Sequence, residues 1–94
     1  MDAITFCLPQ SLDISVVNET QQMMLTQLQS QQDIEQVNID AGELSRIDTA
    51  GLQLLTALVI DINRKSIDLS WKNVNDELLL SASRLGLNHL LKLN

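Results

Sequence analysis

Apolar and polar residues alternate one by one at three separate places along the chain. Ile4, Phe6 and Leu8 alternate with Thr5 and Cys7, Val37 and Ile39 with Asn38 and Asp40, and Ile67, Leu69 and Trp71 with Asp68 and Ser70. A period of two sends successive side chains to opposite faces of an extended backbone, so each stretch reads as a half-buried strand. Pro9 closes the first strand, running from Ala3 to Leu8, because it cannot donate to a ladder. Gly42 loosens the chain after the second.

Between and after these strands the period changes. From about Ser15 to Ser30, Val17, Met24 and Leu28, flanked by Val16, Met23 and Leu25, recur at helical spacing among Gln and Glu, predicting an amphipathic helix. Gln31 to Glu35 reads as a polar connection. A second helix begins around Thr49, with Leu52, Leu55, Leu58, Val59 and Ile62 as one apolar stripe. It ends at Arg64 and Lys65, cations that suit the negative end of a helix dipole. Asn75 is placed to cap a third helix with Asp76 and Glu77 in its first turn and Leu78, Leu79, Ala82 and Leu85 as its apolar face, and Gly86 is placed to stop it. A short final helix is expected over Leu87 to Leu91.

Strand, helix, strand, helix, strand, helix predicts right-handed crossovers and an α/β fold with a small, mostly parallel sheet. Strands covered on both faces read as continuous apolar runs, whereas these carry polar residues at every second position. The helices should therefore lie mainly on one face, with the other at least partly wet. With 94 residues, the chain suits one domain over 1–94.

Composition narrows the function. The formal net charge is −6, from 12 acidic and 6 basic side chains, and no basic run tracks a phosphate backbone. Phe6 and Trp71 are the only aromatics, too few for base stacking, so nucleic acid is not expected as a partner. Cys7 is the single cysteine, which excludes an internal disulfide and fits a reducing compartment. No stretch has the length and apolarity of a membrane span or a signal sequence, so direct membrane insertion is not expected and a cytoplasmic location is.

Catalytic machinery is not visible. His89 stands alone, without a second histidine or cysteine to share a metal, and reads as a surface residue. The carboxylate pairs Asp13 with Glu19 and Asp40 with Glu43 read as solvated loop or helix positions. Gly42, Gly51 and Gly86 are too scattered for a phosphate-cradling loop. The Met23-Met24 pair reads as core. No cofactor and no metal are expected.

The informative stretch runs from Leu44 to Leu55, Leu-Ser-Arg-Ile-Asp-Thr-Ala-Gly-Leu-Gln-Leu-Leu, where a loop meets a helix N-terminus. Asp48 or Thr49 there can accept hydrogen bonds from the first unpaired backbone N–H groups, a purely structural role. The same helix end tolerates a phosphate, so Thr49 can also be read as a switch or contact residue. Spacing alone leaves both readings open.

Ile47-Asp48-Thr49-Ala50-Gly51-Leu52, followed by Leu54-Leu55, resembles the Asp-Ser/Thr-x-Gly-Leu signature of STAS domains, the family of the anti-sigma-factor antagonists. Leu12-Asp13, the strand Val37 to Asp40, the exit Leu69-Trp71-Lys72-Asn73-Val74 and the ending Ser83-Arg84-Leu85-Gly86-Leu87 extend the likeness over nearly the whole chain. The resemblance implies a regulatory module without catalysis. Its partner, an anti-sigma or serine kinase type of signalling protein, would bind through Asp48, Thr49, Ala50, Gly51 and Gln53, with Thr49 as phosphoacceptor. Ala50 departs from members with a second serine there, and one N-terminal strand stands where many members have two. The rival reading comes from similar STAS subunits of lipid-transport ABC systems, in which the same loop docks an ATPase. An enzyme using His89 or Asp48 is the third and weakest.

Overall fold

The structure, a computed structural model, describes residues 2–30 and 33–93. In chain order its elements are β1 (Asp2–Cys7), β2 (Ser11–Leu12), α1 (Val17–Ser30), β3 (Ile34–Asp40), β4 (Arg46–Ile47), α2 (Thr49–Arg64), β5 (Asp68–Lys72) and α3 (Asp76–Arg84). The sheet has the order β1-β3-β5, all parallel, so each crossover carries a helix as expected. A second, two-stranded parallel ladder joins β2 to β4, Ser11 opposite Arg46 and Leu12 opposite Ile47. The N-terminal region thus has a second short strand that alternation could not reveal, because two residues have no period.

Register explains the alternation. Ile4, Val37 and Leu69 form one cross-strand row, and Phe6, Ile39 and Trp71 the next; these rows face the helices. On the opposite face Thr5, Asn38 and Ser70 line up, followed by Cys7, Asp40 and Lys72. Gln36 there donates through Nε2 to Asn38 Oδ1 at 2.9 Å and to Ser70 Oγ at 3.2 Å, so amides and hydroxyls stitch the wet face together. The expected one-sided covering is what forms.

α2 supplies the largest share of the core. Leu52, Leu55, Leu58, Val59 and Ile62 are buried, each worth roughly 1.5–3 kcal/mol of apolar transfer when fully covered. α1 adds Met24 and Leu28, while Met23 is exposed and does not join the core expected for it. The expected polar connection at 31–35 is shorter: Gln31 and Gln32 lie outside the described residues, and Ile34, buried, already belongs to β3.

Both α2 and α3 end in paired 6→1 and 5→2 hydrogen bonds. In α3 Leu87 N–H donates to Ala82 O at 2.9 Å and Gly86 N–H to Ser83 O at 3.0 Å, with Gly86 at φ 69°. Leu85, the C-cap residue just before this left-handed turn, is 49% exposed, so it is not on the buried face assigned to it. In α2 the equivalent position is Ser66, at φ 57°, a conformation that costs a residue with a β-carbon. The expected helix over Leu87 to Leu91 is instead a series of turns. Buried Leu91 anchors it, and its carbonyl accepts from Trp71 Nε1 at 2.9 Å, which holds the segment without helical repeats.

Candidate functional site

The loop after β4 is fixed from two sides by one carboxylate. Asp48 is the N-cap of α2, in extended conformation, and its Oδ1 accepts from Gly51 N–H at 2.9 Å. Its Oδ2 accepts from Ile14 N–H at 3.1 Å, tying the loop after β2 to the start of α2. Asp48 N–H in turn donates to Leu12 O at 3.3 Å. Capping therefore belongs to Asp48 and not to Thr49.

Thr49 is the first residue of α2 and is exposed. Among the described residues its hydroxyl makes no hydrogen bond, so it is left to solvent or to another molecule. Ala50 is half-buried and Gln53, one turn on, is exposed beside Thr49. Gly51 departs from its expected place in a contact surface. It is buried, and a β-carbon there would collide with the Leu12 carbonyl oxygen and lie 2.8 Å from Ile47 Cγ1. Glycine is required at this position so that α2 can close on β2 and β4, not so that a partner can touch it.

Thr49 stands in the middle of a longer depression. Three adjoining hollows, of about 430, 240 and 490 Å³, share lining residues and run as one groove over the surface. The first lies between Asp13, Ile14, Arg46 and Glu77, and Ile47 and Asp48 pass from it into the second. Thr49 and Leu85 join the second to the third, which continues along α2 by Gln53 and Ile60 to Leu87. Ile14 is 72% exposed and Ile60 39%. Thr56 lines the same hollow with its hydroxyl turned back to Leu52 O at 2.8 Å.

The sequence pointed to the centre of this groove and missed both ends. Ile14 and Ile60 were lost among ordinary apolar positions, and Leu85 was assigned to a buried face. An apolar residue directly before a helix-stopping glycine was the available signal for Leu85. Asp13 also turns local. It accepts from Ser15 N–H at 2.9 Å and from the Ser15 hydroxyl, and these bonds, with Arg46 nearby, hold its carboxyl below the usual range. His89 is exposed, and no cluster of three metal-ligating side chains occurs among the described residues.

The sequence profile of the family described as “Mlab, STAS domain” matches residues 7–92. The chain belongs to this STAS family. No curated protein matches it significantly. Among solved structures, this STAS domain is similar to a sulfate transporter family protein from Wolinella succinogenes. That likeness has a TM-score of 0.77 at 15% identity and covers 95% of this chain and 70% of the other, which shows the shared fold. No helix among the described residues of this STAS domain is long and apolar enough to cross a membrane.

Proposed function

We propose that the chain is a non-catalytic docking module that holds the ATPase of an ABC-type lipid transporter through the groove around Thr49, on the cytoplasmic side where ATP is available. The carrying observation is Thr49 itself: exposed, freed from capping by Asp48, and central to a groove that continues along α2. The Mlab description of the family and the resemblance to STAS subunits of lipid-transport systems support a transporter partner over an anti-sigma one. So does the groove's length, since a phosphate switch needs only its central point.

A second reading, partner switching by phosphorylation, is favoured by one observation. Thr49 is the first residue of a 16-residue helix, where a phosphate meets the positive end of the dipole. Tagged chain recovered from its native cells decides between the two. Transporter docking returns a membrane-associated ATPase, and Thr49 is unmodified by mass spectrometry; switching returns a soluble kinase and phosphorylated Thr49. Thr49→Glu should weaken either complex while leaving stability within about 1 kcal/mol, as expected of an exposed site. Undiminished binding by Thr49→Glu rejects docking at this loop.

A further inference from the structure

The groove is chemically different at its two ends. At the β2 and β4 end, three carboxylates, Asp13, Asp48 and Glu77, face one guanidinium, Arg46. Asp48 spends both oxygens on backbone N–H groups, and Asp13 is held in its charged form by Ser15 and Arg46. Among the described residues Glu77 has only a long 3.4 Å contact from the Ser81 hydroxyl and takes part in no ion pair. Arg84 lines the middle hollow beside Leu85, and the last hollow, from Thr49 and Gln53 to Leu87, then carries no charge, although the chain has a net charge of −6. The exposed residues Thr49, Gln53, Ala57 and Ile60 follow a helical spacing, with Leu85 and Leu87 as the facing wall.

Building on the docking reading, we infer that the occupant is a helix of the partner protein with a neutral, apolar face against Ile60 and Leu85 and a cationic end over Glu77 and Asp13. The uncharged run from Thr49 to Ile60 covers 12 residues of α2, about 16 Å end to end at roughly 1.5 Å per step, which fits roughly three turns of a helix laid beside it. Short side chains at Thr49, Thr56 and Ala57 permit close approach, and the carboxylates fix which way the helix points. An anionic lipid surface would meet those carboxylates first and be repelled. Opposite charge at one end of an apolar seam acts mainly on orientation and association rate and is screened by salt.

The test uses the purified ATPase subunit that travels with the chain, with affinity and association rate measured at 50 and 500 mM NaCl (roughly 14 and 4 Å Debye lengths) against wild type, Leu85→Asp, Glu77→Gln and Glu77→Lys. Thermal melts of each variant check that the fold survives. Leu85→Asp is expected to weaken binding by about a hundredfold at both salts, as for a central apolar anchor. Glu77→Gln and Glu77→Lys should weaken it in that order, the latter by about tenfold at low salt through slower association, with the deficit shrinking at high salt. Loss with Leu85→Asp but none with Glu77→Lys overturns the cationic end and leaves docking standing. No loss with either removes docking at this groove altogether. Flotation with anionic vesicles, or dimerisation that Leu85→Asp abolishes, would put a lipid or a second copy in the groove and overturn the proposal.

Discussion

The carbonyl oxygen of Leu12 occupies the space that a β-carbon on Gly51 would need. This contact joins one of the two shortest strands of the fold to the first turn of its longest helix. It fixes the height at which Thr49 is presented.

Alanine in mid-helix ordinarily gains about 1 kcal/mol over glycine. At residue 51 the clash outweighs that gain, because both neighbours, the Leu12 carbonyl and Ile47 Cγ1, belong to the paired strands β2 and β4. Gly51→Ala is expected to lose about 1–3 kcal/mol, the usual cost of overpacking, in urea titration. A stabilised variant would show that α2 can shift away from β2.

Asp48 uses its two oxygens on two different donors, Gly51 N–H and Ile14 N–H. Asparagine offers one oxygen, so Asp48→Asn should keep the helix cap and lose the Ile14 tether, at a cost of about 0.5–1 kcal/mol. Asp48→Ala loses both and should cost about 1–2 kcal/mol. Hydrogen exchange at the Ile14 amide distinguishes the variants: it should rise in both, whereas the Gly51 amide should be deprotected only in the alanine form.

Ser66 ends α2 in the left-handed region without the glycine that such a turn favours. Ser66→Gly should therefore stabilise the fold by about 0.5–1 kcal/mol, raising the melting temperature, since relief of the native conformation exceeds the extra freedom given to the unfolded chain. An unchanged or lower melting temperature would contradict that strain.

Asn73 Nδ2 at 3.1 Å and Gly42 N–H at 2.8 Å both donate to Asp40 Oδ1, and these bonds lower its carboxyl below the ordinary 3.8. A depressed folded-state value means that the unfolded chain takes up the proton first. The contribution is thus complete well above pH 3.8, erodes as pH falls through 3.8, and is gone below the folded-state value. Asp13, lowered by Ser15, follows the same sign. Asp40→Asn should flatten the acid limb of stability against pH in denaturant titrations, with little change of slope near neutrality.

The three sheet strands and all three long helices were legible because each repeats its pattern often enough to show a period. Asn75 was readable as a cap, and its Oδ1 does accept from Leu78 N–H at 3.0 Å. The ladder of β2 and β4 was not legible, since it rests on backbone pairing of residues 35 apart in sequence with two positions on each side. At the site, Asp48 and Thr49 stood out through local rules. Gly51 was misassigned because its role depends on Leu12, and the groove's ends escaped because Ile14 meets Glu77, and Ile60 meets Leu85, only in space.

The row of Thr5, Asn38 and Ser70 and its neighbour Cys7 lie on the sheet face opposite the buried rows of Ile4, Val37, Phe6 and Ile39, and Cys7 is both exposed and the single thiol of the chain. A maleimide dye or a biotin linker attached at that sulfur would sit on a residue that lines none of the three hollows of the groove. The chain thus carries a single built-in point for tethering to a sensor surface, outside the groove lining.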